Sequence, residues 1–256
     1  MNILITAGGT SERIDEVRKI SNVATGRLGS LIADAFLEKD IDVTYLCTEG
    51  AILPKSKKAR ILYVDDVQNL KLTLESLLEE LSFDAVIHSM AVSDYSVKFS
   101  VTSYELADYL TNSLLKMDNQ PVSREQLLTQ INLALSEYAV NQAPTKISSE
   151  IENLYLCLEK TPKVIKIFKE LQPDTVLVGF KLLANVNEEV LLNAAKNLMH
   201  TNHCDYVLAN DKRDINSAHH AGILIGADRT VGRFNTKQEI ADGIVNCVIQ
   251  KIRDKV

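Results

Sequence analysis

Cysteine is scarce in this 256-residue chain, and its four cysteines lie far apart in the sequence. No C-x-x-C pair occurs, so the spacing indicates neither a zinc cluster nor a disulfide framework. We therefore predict reduced, mostly buried thiols, as is usual for a cytosolic protein. The four residues are Cys47, Cys157, Cys204 and Cys247.

Long hydrophobic runs are also missing. No apolar stretch reaches the roughly 18 residues that a membrane-spanning helix requires. Met1 leads directly into a strand-like segment, without the charged and apolar regions of a signal peptide. We therefore predict a cytoplasmic protein with no membrane partner.

An excess of positive charge is absent as well, because the net charge is −6 at pH 7. A broad nucleic-acid surface normally requires clustered cations, so nucleic acid is excluded as a partner. Local basic sites for small phosphorylated ligands remain open. The apolar fraction of 46% and the charged fraction of 24% are ordinary for a globular protein with one large domain or two small ones.

Short apolar strands alternate with amphipathic helices along most of the chain. This order predicts an α/β fold: a Rossmann-like, mostly parallel sheet with helices on both faces. The strands are predicted at Asn2–Thr6, Asp42–Cys47, Arg60–Val64, Ala85–His88, Leu154–Leu158, Thr175–Phe180 and Tyr206–Asn210. The helices are predicted at Leu28–Glu38 and Val67–Leu81, from Pro162, at Asn187–Met199 and from Thr236.

The alternation is interrupted at about residues 97–143. Two amphipathic helices are predicted there, near Tyr104–Met117 and Ser123–Tyr138, and no strand. We interpret this stretch as a helical insertion within a single domain that spans residues 1–256. Near the C-terminus, Gly222–Ala227 and Thr230–Phe234 predict a small antiparallel pair.

Glycines flank the first strand-to-helix connection. Gly8 and Gly9 follow the first strand, and Gly26 and Gly29 open the first helix. Glycine allows close backbone approach, and a helix N-terminus offers unpaired N–H groups to a phosphate. Isolated glycines are more often ordinary turns, but the position in an α/β sheet favours a nucleotide-phosphate site.

This connection matches no common nucleotide fingerprint. It does not continue as G-x-G-x-x-G, it is longer than a Rossmann loop, and it lacks the G-K-[ST] of a Walker loop. Its polar residues lie where open α/β sheets bind ligands. Among them Asn22 is the strongest candidate to orient a substrate, because its neutral amide can hold a carbonyl.

A second candidate segment follows the strand Ala85–His88. Small residues around Met90 and Ala91 permit a ligand to approach the backbone, and Asp94 could bind a ribose or hydrated magnesium. The alternative for Asp94 is a helix N-cap. His88 is interpreted as a hydrogen-bonded structural residue rather than a general base.

Other candidates lie further along the chain. Phe180 could pack against a nucleotide base, and the adjacent Lys181 could bind a phosphate. Asn210 could bind a base or a ribose. Lys146 lies on a polar stretch, and taken alone it is typical of a solvated surface lysine.

These segments together resemble one family, the phosphopantothenate–cysteine ligases of coenzyme A biosynthesis. The first block is specific, and the others are short but occur in the same order. The matching runs are I-T-A-G-G-T at the start, I-D-x-V-R-x-I-S-N-x-x-T-G-x-x-G at Ile14–Gly29, M-A-V-S-D at Met90–Asp94, T-K-I at Thr145–Ile147, L-x-L-x-K-T-P at Leu156–Pro162, G-F-K-L at Gly179–Leu182 and A-N-D at Ala209–Asp211.

The resemblance implies a two-step reaction. The carboxylate of 4′-phosphopantothenate attacks the α-phosphate of a nucleoside triphosphate, and the amine of L-cysteine then attacks the acyl-nucleotidylate. In the family pattern Asn22 binds the acyl carbonyl and Lys146 holds the triphosphate and supports the first step. Met90, Ala91 and Asp94 correspond to substrate or nucleotide contacts, and Phe180 and Asn210 to the nucleotide enclosure.

The resemblance also implies a homodimer and Mg²⁺, carried mainly by the nucleotide phosphates rather than by protein ligands. Because Met1 opens the ligase part directly, we expect no flavin and no decarboxylase domain. The inserted stretch separates Asp94 from Lys146, which lie close together in the fused bacterial form. The compact length and lack of a targeting sequence favour a bacterial chain, and hence CTP over ATP.

Two rival functions remain open on the sequence. An NADP-dependent oxidoreductase of the short-chain type requires a Tyr-x-x-x-Lys pair in a central helix, and none is found. A non-catalytic nucleotide-binding regulator would bind CTP without releasing pyrophosphate.

Overall fold

The computed structural model describes residues 1–117, 122–138, 147–148, 150–215, 219–227 and 229–255. The chain divides into two compact units. Unit 1 contains Met1–Ser11, Ser21–Ser93 and Pro162–Val256, and unit 2 contains Glu12–Ile20 and Asp94–Thr161. Across the described ranges, no helix has both the length and the apolar character needed to cross a membrane.

Unit 1 is built on an eight-stranded sheet in the order β12-β11-β10-β9-β6-β1-β4-β5. The six strands from β10 to β5 are parallel, whereas β11 and β12 are antiparallel. This confirms the predicted α/β fold and its small antiparallel part. The strands are β1 Asn2–Ala7, β4 Asp42–Thr48, β5 Arg60–Val64, β6 Ala85–His88, β9 Val176–Leu183, β10 Tyr206–Asp211, β11 Gly222–Ile225 and β12 Thr230–Phe234.

Helices cover both faces of this sheet because the central strands are apolar on both sides. Ile3 and Ile5 of β1 pack into a buried cluster on one face of the sheet, whereas Leu4 packs into a second buried cluster on the opposite face. One face carries α1 Arg27–Leu37 and α7 Lys237–Arg253, and the other carries α2 Val67–Glu80, α5 Ile165–Leu171 and α6 Glu188–Asn202.

In the described part of unit 2 the main elements are an antiparallel strand pair and two helices, together with a short hairpin. Strand β7 (Tyr95–Thr102) pairs with β8 (Leu154–Lys160), and α3 (Ser103–Leu115) and α4 (Arg124–Glu137) follow β7 in the chain. Both helices begin with capping boxes, and the one at Ser123 was predicted from the sequence. A short hairpin of β2 (Ser11–Arg13) and β3 (Lys19–Ser21) spans the Glu12–Ile20 segment.

Three predictions about these elements are wrong. The stretch at 97–143 is not purely helical, because β7 occupies its first residues and alternates buried and partly buried side chains. Strand β8 pairs with β7 and not with the central sheet. Helix α5 begins at Ile165 and not at Pro162. That the whole chain acts as one ligase domain stays a prediction.

Candidate functional site

In unit 1 the loops after β1 and β6 run side by side at the carboxyl edge of the sheet. Gly9 and Ala91 form an isolated parallel bridge. The N–H of Thr10 donates to the Ala91 carbonyl at 3.1 Å, and the N–H of Ala91 donates to the Gly8 carbonyl at 2.9 Å. The structure thus joins the glycine segment to the Met90–Asp94 segment, two regions that the sequence suggested separately.

Side chains fix these two loops to each other. The Ser93 N–H donates to Thr10 Oγ1 at 2.8 Å, and Thr10 Oγ1 donates to Ser93 Oγ at 2.9 Å, with both residues buried. The exposed Asn22 donates from Nδ2 to the Ala91 carbonyl at 3.2 Å. Asn22 therefore lies at the junction of both candidate segments. Met90 is 6% exposed and packs into the apolar core, so only its backbone is available to a ligand there.

Helix α1 begins at this edge without a side-chain cap. Its N-cap is Gly26, which adopts a left-handed conformation with φ of 71° and provides no side-chain cap, and the nearby Thr25 Oγ1 accepts from the Arg27 N–H at 3.4 Å. By contrast, α2, α6 and α7 of the same unit are capped by Asp66, Asn187 and Thr236. An uncapped N-terminus offers backbone N–H groups and a positive dipole to an anion. This is the part of the site best suited to a phosphate.

Close packing leaves no space for a side chain at Gly9 or Gly29. A Cβ on Gly29 would lie 2.7 Å from the Cβ of Ala7 and 2.8 Å from Oγ of Ser89, so glycine is required for α1 to approach β1. A Cβ on Gly9 would lie 2.7 Å from the Asn22 carbonyl oxygen. Gly29 is buried, and its clear role is close helix–strand packing rather than direct phosphate contact.

The candidates on β9 and β10 divide between the two faces of the sheet. Phe180 is paired with Leu208 and packs against the cluster beneath α1 and α7. Lys181 is the next residue on the strand and therefore projects from the opposite face. Asn210 shares the face of Phe180, but it is 6% exposed and donates from Nδ2 to the Ala221 carbonyl at 2.6 Å. Its amide fixes the chain entering β11.

A cleft of about 290 Å³ beside β10 was not suggested by the sequence. Asp211 lines it and accepts hydrogen bonds from the N–H groups of Asn185, Val186 and Arg213 at 2.9–3.0 Å. These bonds lower the pKa of the Asp211 carboxyl. The only sequence signal for this feature was the Asp of the A-N-D run, whose backbone partners could not be identified in advance.

Two candidates belong to unit 2 or lie beyond the described residues. Asp94 is exposed and precedes β7, and its carbonyl accepts from the Thr161 N–H at 3.1 Å. It is not a helix N-cap, so that alternative is wrong. Lys146 lies outside the described residues. Within those residues no group of three His, Cys, Asp or Glu side chains could hold a metal ion.

Burial shifts the pKa of three titratable groups near the sheet so that each is neutral at neutral pH. His88 is 7% exposed, its Nδ1 lies 2.8 Å from Thr6 Oγ1, and burial lowers its pKa to about 4. Burial raises the pKa of the Cys47 thiol to about 11 and that of Cys204 to about 12. None of these three groups is therefore an activated nucleophile at neutral pH.

Comparison with known proteins identifies the family. The chain matches the family model described as DNA/pantothenate metabolism flavoprotein C-terminal domain over residues 1–105 and 111–252. It is 31% identical over 242 residues to the coenzyme A biosynthesis bifunctional protein CoaBC of Thermococcus kodakarensis, which covers 94% of this chain and 49% of that protein. The chain thus spans about half the length of the curated relatives it matches.

Solved structures agree with this assignment. The DNA/pantothenate metabolism flavoprotein from Streptococcus pneumoniae aligns over 100% of both chains with 31% identity and a TM-score of 0.78. A Cab2 mutant in complex with phosphopantothenate-cysteine aligns over 99% of this chain and 86% of that one at 17% identity and a TM-score of 0.67, which shows a shared fold. The resemblance drawn from the motifs is confirmed, and the oxidoreductase alternative is not favoured. The chain belongs to the DNA/pantothenate metabolism flavoprotein C-terminal domain family.

Proposed function

We propose that this protein is a ligase that joins 4′-phosphopantothenate to L-cysteine through an acyl-nucleotidylate, in coenzyme A biosynthesis. Membership of the family and the likeness to CoaBC proteins support the reaction class. The observation that carries the proposal is Asn22, whose amide lies against the Ala91 carbonyl where the loops after β1 and β6 pair. A cytoplasmic location and a single ligase domain are part of the same proposal.

In this mechanism the chain works by positioning and by charge, without a covalent enzyme intermediate. The substrate carboxylate attacks the α-phosphate and displaces pyrophosphate, which gives the acyl-nucleotidylate, and backbone N–H groups at the start of α1 stabilise the phosphate charge. Lys146 holds the triphosphate and supports this first step, as the family pattern implies. The amine of cysteine then attacks the acyl carbon and releases the nucleoside monophosphate.

Asn22 serves the second step. One N–H of its amide donates to the Ala91 carbonyl at 3.2 Å, which fixes the plane of the amide. The second N–H is the donor that we propose for the acyl carbonyl of the intermediate. A neutral donor polarises this carbonyl without repelling the neighbouring phosphate. A carboxylate at the same position would repel that phosphate.

Phe180 and Asn210, which share one face of the sheet, remain our candidates to enclose the nucleotide, Lys181, which projects from the opposite face, remains a candidate phosphate contact, and CTP is the preferred triphosphate. Mg²⁺ enters with the triphosphate, because the described residues offer no group of three metal-ligating side chains. Asp94 is exposed and can supply one oxygen to the hydrated ion. When bound, Mg²⁺ neutralises phosphate charge.

The direct test measures pyrophosphate release with 4′-phosphopantothenate and each nucleoside triphosphate in turn, with and without cysteine. We expect release before cysteine is added, fastest with CTP, and formation of the amide only after cysteine is present. A protein that binds CTP but releases no pyrophosphate would be the non-catalytic regulator. Faster release with ATP would overturn the choice of base and leave the reaction class intact.

The variant Asn22→Asp separates the two steps. A carboxylate cannot donate to the acyl carbonyl, so we expect the acyl-nucleotidylate to accumulate while transfer to cysteine slows by roughly 100-fold. Rapid-quench chromatography of the intermediate is the measurement. Asn246→Asp, an exposed change on α7, is the matched control and should behave like the unmodified chain. Unimpaired cysteine transfer in Asn22→Asp would refute the assignment.

We also propose that the protein acts as a homodimer through the open face of the β7–β8 pair. Val97 is paired with Leu158, and Tyr95 and Leu154 lie on the same face by alternation. Tyr95 is 50%, Leu158 44% and Leu154 36% exposed. A two-stranded sheet is marginal alone, so a second copy is a suitable cover for this apolar face.

Sedimentation equilibrium of the full chain tests the dimer. We expect a dimer for the unmodified protein and a monomer for Leu158→Asp, which would place a charge in the interface. Leu72→Asp, at an exposed position on α2 of unit 1, is the control and should remain a dimer. A monomeric unmodified chain, or a Leu158→Asp variant that stays dimeric, would exclude this interface.

A further inference from the structure

The hydroxyl of Tyr45 is buried in the apolar core of unit 1, close to the start of α1. Tyr45 lies in the middle of β4 and is 0% exposed. Its hydroxyl donates to the Ile52 carbonyl at 2.9 Å and, more weakly, to the Gly26 carbonyl at 3.3 Å. A buried hydroxyl is costly unless it has partners. Here the partners are the N-cap of α1 and the loop that follows β4.

This loop after β4 packs directly against the N-cap of α1. The Ile52 N–H donates to the Thr25 carbonyl at 2.9 Å. A Cβ added to Gly26 would lie 3.2 Å from the Cβ of Ala51, so the loop leaves little space there. Ile52 therefore joins the two segments twice: its N–H binds Thr25, and its carbonyl shares the hydroxyl proton of Tyr45 with Gly26.

The conformation of Gly26 determines how α1 begins. Gly26 has φ of 71° and ψ of 0°, and its carbonyl accepts the first helical hydrogen bond from the Ser30 N–H at 3.0 Å. Glycine adopts many backbone conformations, so contacts around Gly26 must select this left-handed one. The direction of its carbonyl in turn sets the direction of the first turn, whose N–H groups have no partner within the helix.

The Tyr45 hydroxyl is a permanent donor at this position. Burial raises the pKa of the hydroxyl well above its usual value of 10, so it keeps its proton at neutral pH. A Cβ added to Gly29 would lie 3.6 Å from the hydroxyl oxygen, which places this oxygen against the first turn of α1. The hydroxyl is thus next to two glycines of the T-G-x-x-G part of the first family motif.

We propose that Tyr45 is a positioning residue for the first half-reaction, because its hydroxyl fixes the left-handed N-cap at Gly26 and so directs the backbone donors of α1 at the transferring phosphate. This inference rests on the proposed function, in which the start of α1 stabilises the phosphate charge. Donors stabilise a developing charge best when they are already aimed at it, and a misplacement of about 1 Å can slow a reaction by roughly 100-fold. Tyr45 is buried, so it acts through Gly26.

The test measures the burst of pyrophosphate release by the full chain, with 4′-phosphopantothenate and excess triphosphate and without cysteine. Tyr45→Phe removes the hydroxyl and keeps the ring in the core. We expect the rate constant of the burst to fall by about 10-fold, because the donors are no longer aimed at the phosphate. The melting temperature should fall by only about 2–4 °C, as for the loss of one hydrogen bond. An unchanged rate constant would overturn the proposal.

The amplitude of the burst separates positioning from a general loss of structure. Partial unfolding lowers the number of active molecules and therefore the amplitude, whereas misdirected donors lower the rate constant. A lower amplitude with an unchanged rate constant would show a purely structural role and contradict the proposal. Replacement of Tyr45 by 4-aminophenylalanine keeps a donor on the ring and should restore the rate constant to within about threefold of the unmodified value. A variant as slow as Tyr45→Phe would show that hydrogen-bond donation is not the cause.

A double-variant comparison tests whether Tyr45 acts through Gly26. Gly26→Ala disfavours the left-handed N-cap and should slow the burst by itself. Adding Tyr45→Phe to Gly26→Ala should then slow it by less than about twofold more, because coupled effects are not additive. Full multiplication of the two effects would refute this route. If Tyr45→Phe does not fold, unchanged pyrophosphate release in a folded Gly26→Ala variant would contradict the proposal.

The matched control is Tyr206→Phe, which removes the same hydroxyl at the opposite edge of the same sheet. Tyr206 begins β10, and its ring packs against the same apolar cluster as that of Tyr45. This variant should keep the rate constant of the burst within about twofold of the unmodified value. An equal loss in both variants would show that the effect is not specific to the N-cap of α1. An unmodified chain that releases no pyrophosphate would instead overturn the proposed function, and this inference with it.

Discussion

The two units of this protein are stabilised in different ways. In unit 1 the central strands β1 and β6 are almost entirely buried, and helices cover both faces of the sheet. In unit 2 helix α3 buries no residue and α4 buries only Ala134, so the core consists mainly of Phe99, Val101 and Tyr138. Unit 1 can stabilise itself through apolar burial, whereas unit 2 has a small aromatic core and depends more on its capping boxes and on the hydrogen bonds that the buried Asp15 carboxylate accepts.

This difference has a functional meaning. The paired loops with Asn22 and the uncapped start of α1 belong to unit 1, where a rigid sheet holds them. Regions with few buried contacts open more readily than the core and suit segments that must move during a reaction cycle. We therefore expect unit 1 to supply the fixed part of the mechanism and unit 2 the adjustable part.

The largest effect should come from the core of unit 1. Ile5 is 0% exposed and lies on β1 between β4 and β6. Ile5→Ala should lower the free energy of unfolding by about 2–5 kcal/mol, because it removes apolar contacts and leaves a cavity. Urea denaturation measures the change, with Leu72→Ala on the exposed side of α2 as the control. A loss below about 1 kcal/mol would show that the two units do not differ in this way.

A change in the core of unit 2 should act locally. The Tyr138 ring lies 4.9 Å from the ring of Phe99 and 4.8 Å from that of Tyr109. Tyr138→Ala should destabilise unit 2 by about 3 kcal/mol. Hydrogen exchange should accelerate in β7 and β8 and remain unchanged in β1 and β6. The control is Tyr104→Ala, at a residue that is 79% exposed, which should change neither the stability of unit 2 nor the hydrogen exchange of these strands. Equal acceleration in both units would mean that they unfold together.

Mild acid should weaken unit 1 first. Burial lowers the pKa of His88 and of His220 to about 4, below the usual value of 6.5. Both residues are therefore neutral in the folded state at pH values where the unfolded chain binds protons. Their stabilisation is complete above pH 6.5 and is lost as the pH falls towards 4, by roughly 3 kcal/mol for His88.

Thermal unfolding between pH 7 and pH 4 measures this effect. The unmodified chain should lose thermal stability steadily as the pH falls from 7 to 4. The His88→Asn variant should lose less stability over the same range. The lowered pKa of Asp15 contributes stability that is lost only as the pH falls below its usual value of 3.8, so unit 2 should weaken at lower pH. Stability that does not change between pH 6.5 and 4 would contradict the burial of both histidines.

The smallest expected effects concern the helix caps. Thr102 caps α3 in unit 2, and Thr236 caps α7 in unit 1 by accepting from the Glu239 N–H at 3.1 Å. Changing either threonine to alanine should cost about 1 kcal/mol, and changing it to serine much less. Residue-resolved hydrogen exchange should show the first loss in unit 2 and the second in unit 1. Faster exchange in unit 1 for the Thr102 variant, or in unit 2 for the Thr236 variant, would contradict the separate stabilisation of the two units.

Local sequence patterns predicted unit 1 well because its elements are defined by nearby residues. The apolar runs of β1 and β6 and the helical spacing in α1 each identify one element, and their alternation indicates a parallel sheet. The N-cap at Thr236 follows from residues within one turn of the helix. The first helix and the loop before it were therefore predicted as a candidate ligand site, and that role stays a prediction.

Unit 2 was harder to predict because its contacts are distant in the sequence. In the strand Tyr95–Thr102 only Phe99 and Val101 are buried, the pairing register shifts between Val97 and Phe99, and the partner strand β8 begins at Leu154. This stretch is a strand because it pairs with β8, and its local propensity alone does not determine that conformation. The hydrogen bond from the Ile147 N–H to Asp15 Oδ2 was equally unpredictable, since neither residue indicates the other. For the same reason the bond from the Asn210 amide to the Ala221 carbonyl could not be predicted.

The order of strands in the sheet has a consequence for synthesis on the ribosome. Strand β6 pairs with β1 on one side and with β9 on the other, yet β9 begins at Val176, long after His88 ends β6. While the intervening residues emerge, β6 presents an unpaired apolar edge, the type of surface at which nascent chains aggregate. A pause in synthesis between His88 and Val176 should therefore lower the yield of soluble protein more than a pause after Asp211, when β9 and β10 are already in place.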